Sequence, residues 1–291
     1  MLILLGAREN KTLLGFYNYV SSRYSVKIAW LDHYQLINEI SVHDTIHTCG
    51  KTNISWRYKD DEFTSGNVLG VLNDLRSLES GLFQDFAPED RKYAQEEFFA
   101  YLLSALSALP NVANRPSQGG LSGFTRTLPY QWATARKLCP SVGIPKYYLG
   151  RMSDAECRKF DPEYTVISDK LYDYGNWTPA SRPIAEGELA LTYEIPSGSA
   201  CIASYVGGKI YCFRLTNREG FAASDKILHF VKLLAEHFCL TICQVLFFAD
   251  GASGHITFGA IRPHLDIGDC ADIHVCALYA SMASEVLPYA Y

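Results

Sequence analysis

Short apolar runs alternate with amphipathic stretches along the first hundred residues. Leu2 to Leu5 is a continuous apolar run closed by Gly6, the pattern of a buried strand. From Asn10 to Ser22 the apolar positions Leu13, Leu14, Phe16, Tyr17 and Val20 recur at helical spacing, and Val26 to Leu31 reads as a second strand. Strand, helix, strand is a βαβ unit, so the two strands run parallel through a right-handed crossover. Ile54 to Tyr58, with Asp60-Asp61 after it, predicts a hairpin strand and its turn. Val68 to Leu75 is a further apolar segment, and a long helix is expected from Pro88 to about Leu106. Glu89 and Asp90 would give that helix an acidic first turn, which suits its dipole.

The pattern changes between Leu109 and Gly150. A strand end at Asn111 to Asn114 is stopped by Arg115-Pro116, because the residue before a proline is pushed out of the helical region. Gly119, Gly120 and Gly123 make an irregular turn, a helix follows from about Leu128 to Leu138, and Gly143-Ile144-Pro145 leads into an extended run. Beyond it hairpins dominate. Tyr164 to Tyr172 reads as strand, turn and strand, and Leu189 to Pro196 as a strand. Ala203 to Leu215 is a hairpin turning at Gly207-Gly208. An amphipathic helix from Asp225 to His237 precedes a last hairpin, Thr241 to Phe248 and His255 to Ile261, turning at Asp250-Gly251. A helix over 271–287 closes the chain before Pro288. The fold class is α/β (α+β), with a boundary expected between an N-terminal α/β domain, 1–115, and a second domain, 116–291, built on antiparallel sheets.

Composition narrows the function classes. A chain of 291 residues with 48% hydrophobic and 20% charged residues is that of an ordinary globular protein with room for a large core. The net charge of −5, with no Lys/Arg-rich run, argues against nucleic acid as a partner. The nine cysteines are odd in number, form no CxxC and sit largely in apolar runs, the usage of reduced buried thiols. Cys239 and Cys243 are spaced to share a helix face, yet no further ligand lies at a metal spacing. Met1 to Leu5 is too short for a signal peptide and no run has the length of a membrane helix, so no membrane partner is expected and the expected compartment is the cytoplasm. GxSxG and Cys/His nucleophile arrangements are absent, which removes support for a hydrolase.

Several segments together resemble the ATP-grasp superfamily, in its peptide-modifying branch. They are Asn114-Arg115-Pro116 ending a strand, Gly143-Ile144-Pro145-Lys146-Tyr147, and Gly70-Val71-Leu72-Asn73-Asp74 (a "G-V-L-N-R-L" segment with Asp74 where relatives often carry Arg). Tyr93-Ala94-Gln95-Glu96-Glu97 is similar to "Y-A-x-x-E", Leu189 to Pro196 to the hinge strand whose backbone amides meet adenine, and Val206-Gly207-Gly208-Lys209 to the "V-G-G-K" hairpin. The resemblance implies a pre-ATP-grasp domain over 1–115 and an ATP-grasp-like domain over 116–291, shortened and degenerate because the loop after the hairpin is reduced to Thr216 to Gly220. It also implies a ligase that phosphorylates a carboxylate and lets an amine attack the acyl phosphate. That chemistry needs cations on the triphosphate and oxygen ligands on magnesium.

The chain departs from the family where that chemistry resides. In the second strand of the last hairpin the pattern "E-x-N-P" reads Ala260-Ile261-Arg262-Pro263, and the first strand, Gln244 to Phe247, offers no Asp. Alanine and arginine have no lone pair for a divalent cation. No catalytic residue and no metal ligand is therefore assigned, and neither ATP nor magnesium is an expected cofactor. Lys170 and Glu194 are the candidate nucleotide contacts, and Asp266 and Asp269 would hold a cation only if the site were rebuilt. Two readings stay open. One is a non-catalytic ATP-grasp-like protein that binds a precursor or leader peptide, or a partner biosynthetic enzyme, in a ribosomal-peptide (RiPP) tailoring pathway, with a homodimer implied by the resemblance. The other is an active ATP-dependent carboxylate–amine ligase with a non-standard metal site.

Overall fold

The computed structural model describes residues 1–48, 52–76, 78, 80–117, 120–123, 126–151, 153–168, 171, 177, 188–217, 219–251, 254–270 and 272–288. The chain opens with the expected βαβ unit, β1 (Leu2–Leu5), α1 (Lys11–Arg23) and β2 (Ile28–Leu31). Asn10 starts α1 because its side-chain oxygen accepts from the amides of Thr12 (2.9 Å) and Leu13 (3.2 Å), two donors that the first turn leaves unpaired. α2 (His33–Asn38) follows β2 under a capping box of Asp32 and Gln35. β3 (Ser55–Tyr58) and β4 (Asp61–Thr64) form the hairpin, and β5 (Gly70–Asn73) returns to the sheet. After α3 (Arg91–Ala108) comes the short β6 (Val112–Ala113), completing a parallel sheet of order β2-β1-β5-β6. α3 starts three residues later than the sequence suggests. Glu89 and Asp90 precede it, and Asp90 at the N-cap makes no side-chain cap bond, so the expected acidic first turn is not there.

The second half begins with α4 (Leu128–Leu138), followed by β7 (Tyr147–Arg151), β8 (Thr165–Ser168) and β9 (Leu189–Glu194) in an antiparallel sheet of order β7-β9-β8. The second strand expected near Tyr172 falls outside the described residues. β10 (Ser199–Val206) and β11 (Lys209–Arg214) form the Gly207-Gly208 hairpin, both glycines having positive φ, as this turn requires. α5 (Asp225–His237), β12 (Ile242–Ala249), β13 (Ile256–Arg262) and α6 (Asp272–Val286) complete an antiparallel sheet of order β11-β10-β12-β13 and its helical cover. Cys239 follows the end of α5 at φ 54°, and Cys243 is buried in β12, so the two do not share a helix face.

Alternation along the strands divides the interior into layers. Leu2 and Leu4 face one core and Ile3 and Leu5 another, as expected of a parallel sheet covered on both sides. The first of these cores is shared with β10, β11 and β12 through Ile202, Phe213 and Leu246, and with α6 through Leu278 and Met282. The second joins the β3–β4 hairpin to α3 through Trp56, Phe63 and Leu102. A third core lies on the other face of the four-stranded antiparallel sheet, where Ala203, Val245 and Phe258 meet α4, α5 and the β7-β9-β8 sheet.

The junction after β6 is held by one side chain. Asn114, at φ 52°, accepts at Oδ1 from the amides of Thr241 (3.0 Å) and Ile242 (2.9 Å) and donates Nδ2 to the carbonyls of Ile242 and Pro263. It therefore ties the end of the parallel sheet to the start of β12 and the end of β13.

Candidate functional site

Two places in this fold bear on chemistry: the space between the two antiparallel sheets, and the carboxyl edge of the parallel sheet. Aromatic rings bridge the first. Trp132 of α4 is fully buried, lies 5.4 Å from the Tyr193 ring and 4.9 Å from the Tyr147 ring, and donates its indole N–H to the carbonyl of Gly259 at 2.6 Å. Trp177 bridges the sheets, 5.0 Å from Tyr193 on β9 and 5.0 Å from Phe248 on β12. Along the hinge-like strand β9, Ala190, Leu191, Thr192 and Tyr193 are all buried. Glu194 at its end is half-exposed and pairs with Lys146 of the neighbouring chain segment at 2.8 Å. Lys170 lies outside the described residues.

The positions at which the resemblance implies metal ligands carry an internal network. Ser204, Gln244 and Arg262 form a row across β10, β12 and β13. The Arg262 guanidinium donates through Nε (3.0 Å) and a terminal nitrogen to Oε1 of Gln244, which also accepts the Asp266 amide at 3.1 Å. Gln244 is fully buried, and its Nε2 donates to Ser204 Oγ (3.1 Å) and to the Asp266 carbonyl (3.2 Å). Ala260 is buried opposite Leu246. A guanidinium on the only oxygen acceptor of a side-chain amide, beside an alanine, does not fit a divalent cation. Among the described residues no group of three His, Cys, Asp or Glu side chains is placed to hold a metal.

The second place is a cleft of about 560 Å³ at the carboxyl ends of β1, β2 and β5, where open α/β sheets place their ligands. Glu9, Lys11, His33, Asp74, Arg76 and Asp266 line it. Asp74 follows β5 directly. Its carboxylate takes a hydrogen bond from Asn10 Nδ2 and lies 3.5 Å from Arg76. Burial pushes its pKa up to about 6, against the opposing pull of Arg76, Arg262 and Asn10. Next to the cleft, His264 is held well below its usual pKa by burial and by the charges of Arg76 and Arg262, and its Nδ1 is out of solvent without a hydrogen-bond partner among the described residues. Asp266 caps the 3-10 turn Ile267–Asp269, accepting the Gly268 amide at 3.0 Å, and Asp269 is the last residue of that turn.

Of the residues singled out from sequence, the structure brings Asp266 to the cleft, and Glu194 to the end of β9 on another sheet. The Asp74–Arg76–Asn10 cluster and the ring bridge of Trp177 were not singled out. A carboxylate directly after an apolar parallel strand is a signal that points to Asp74. Trp177 stands in a stretch with no periodicity, and nothing in the sequence marks it.

No family model and no curated protein matches the sequence. Solved structures do match. The macrocyclase MdnC bound with precursor peptide MdnA from Microcystis aeruginosa superposes with a TM-score of 0.73 at 12% identity, covering 99% of this chain and 100% of that one. A RiPP-associated ATP-grasp ligase from Chryseobacterium gregarium, in complex with ADP and a leader and core peptide, gives 0.71 at 11% identity, with 100% and 97% covered. The ATP-grasp ligase PsnB with a phosphomimetic variant of its minimal precursor, Mg and ADP gives 0.72 at 13% identity, with 98% of each chain covered. The matches run the length of both partners, so measured against these structures the chain lacks no lobe. By its parallel N-terminal sheet, its two antiparallel sheets and these superpositions, the chain has the ATP-grasp fold.

Proposed function

We propose that the chain binds a peptide or a partner protein in the biosynthesis of a ribosomally made peptide product, and does so without ATP–magnesium chemistry. The observation that carries the second clause is the Ser204–Gln244–Arg262 row. The Arg262 guanidinium is hydrogen-bonded to Gln244 at a position where the resemblance implies oxygen ligands in an active ligase, and this supports the reading. The rings of Trp132, Trp177 and Tyr193 support the same reading, because they pack between the two antiparallel sheets. The peptide clause is supported by the company of the fold: three of the solved structures that resemble this chain hold a precursor, or a leader and core peptide. In the same reading the chain is a homodimer.

The test is calorimetric titration with ATP and magnesium, with thermal shift as a cross-check. A ligand at a hundred times its dissociation constant raises stability by about 2.7 kcal/mol. The expected result is no heat and no shift up to millimolar ATP, together with capture of the chain by a precursor peptide. Tight, magnesium-dependent binding would overturn the proposal in favour of an active carboxylate–amine ligase. The metal would then be sought around Asp74 and Asp266, which share one cleft.

A further inference from the structure

A second concavity, of about 730 Å³, lies on the N-terminal part of the chain between α2, the 3-10 turn Ser80–Phe83 and α3. Its volume is within the range of about 300–1,000 Å³ that encloses a ligand. The floor is a continuous train of rings: Phe86 and Phe83 with centroids 6.2 Å apart, Phe83 and Phe98 at 6.2 Å, Phe98 and Tyr101 at 5.9 Å. The inner end is fixed, because Tyr101 donates its hydroxyl to Asp44 (2.8 Å) and accepts from the Trp56 indole (2.5 Å). The outer end is open, with Phe86 48% and Tyr93 65% exposed.

Charge around this floor is one-sided. Asp85, Asp90 and Glu97 line the groove, and no Lys or Arg does so among the described residues. The guanidinium of Arg91, at the start of α3, donates to the carbonyls of Phe86 and Gln84 at 3.2 Å each and braces the loop. Lys92 pairs with Glu96, and none of the three groove carboxylates forms an ion pair among the described residues. Three unneutralised carboxylates around exposed aromatic faces match one chemistry: a cation on an aliphatic stem, which rests the stem on the rings and presents its charge to the carboxylates.

We infer that this groove docks a cationic segment of a partner polypeptide, with an apolar side chain over Phe86 and Tyr93 and Lys or Arg residues against Asp85, Asp90 and Glu97. The inference rests on the peptide-binding reading and names the chemistry of the segment.

The test is fluorescence polarisation with a labelled eight-residue peptide alternating Lys with Leu and Phe, and with its Glu-for-Lys counterpart. The Lys peptide binds, the Glu peptide does not, and affinity falls as salt is raised. Asp85→Lys and Glu97→Lys each weaken binding at least about fivefold. Phe86→Ser, at an exposed position, weakens it without loss of fold by circular dichroism. Glu96→Lys makes the same change of charge outside the groove and leaves affinity unchanged, which separates the groove from the general attraction of an acidic protein. Equal loss in the Glu96 variant, or no loss in the Glu97 variant, overturns the inference. So does a dimer, seen by analytical ultracentrifugation, that Glu97→Lys dissociates, because the occupant is then a second copy of this chain. Capture of a precursor peptide that is indifferent to every groove variant sinks the groove while leaving the peptide-binding reading intact.

Discussion

Replacing Asp74 with asparagine should make the protein more stable at neutral pH. The side chain is only 11% exposed, so its charge is largely removed from water, and the carboxylate pKa rises from 3.8 to about 6. Between these two values the unfolded chain gives up the Asp74 proton while the folded one keeps it. Stability is therefore lost as pH rises from about 4 to about 6, and the full penalty stands above that. A shift of about two units corresponds to about 3 kcal/mol. Asparagine keeps an oxygen to accept from Asn10, and the attraction of Arg76 is already contained in the net shift. A net gain of about 3 kcal/mol at pH 7.5 follows, which for a chain of this length moves Tm by about 5 °C. Urea denaturation of both proteins at about pH 4 and at pH 7.5 measures it. The two should coincide near pH 4 and separate with Asp74→Asn the more stable at pH 7.5. A difference that does not change with pH, or a variant that is weaker at pH 7.5, would mean that Arg76 and Arg262 already compensate the buried charge, and the reasoning fails.

Other substitutions test the packing. Trp132→Ala empties a fully buried site and orphans the Gly259 carbonyl, and should cost about 3–5 kcal/mol in urea denaturation with an unchanged m value. Asn114→Ala removes the acceptor for two amides and the donor to two carbonyls, an expected loss on the order of 3 kcal/mol. Asn114→Gly should lose about 1 kcal/mol less than Asn114→Ala, because glycine is unstrained at φ 52°, yet it restores none of those bonds. Gly70→Ala would place a methyl 1.8 Å from the backbone oxygen of Val286, so α6 must move off the parallel sheet, and thermal melting should fall by more than the equivalent of about 2 kcal/mol.

Much of this architecture is legible in the sequence where one residue pattern serves one environment. α5 shows its amphipathic period and is bounded where the spacing predicts, at Asp225 and His237. The glycine pair at 207 and 208 marks its hairpin because a two-residue turn demands positive φ. α3 is misplaced at its start because Pro88, Glu89 and Asp90 look like a first turn while the chain forms its helix only from Arg91. Of the candidate site, the departure of Ala260 and Arg262 from the glutamate and asparagine that the resemblance implies is visible in the sequence. Its consequence is not, because the partner of Arg262 is on another strand and is chosen by register. The same holds for Asn10 and Asp74, which lie far apart in the chain and meet only when β1 and β5 pair.

The core shared by β1, β5 and α6 bears on how the chain is made. Leu2, Leu4 and Leu72 present an apolar face whose cover includes Leu278, Met282 and Val286, near the other end of the sequence. At synthesis rates of roughly 5–20 residues per second, α6 leaves the ribosome on the order of ten seconds after β6 has completed the sheet. During that interval Leu13, Phe16 and Val20 of α1 cover only part of this face, and the sheet holds exposed hydrophobic surface and unpaired edges. The nascent chain is then a client for chaperones, and the N-terminal half, cut free at the junction, would be expected to aggregate instead of folding alone.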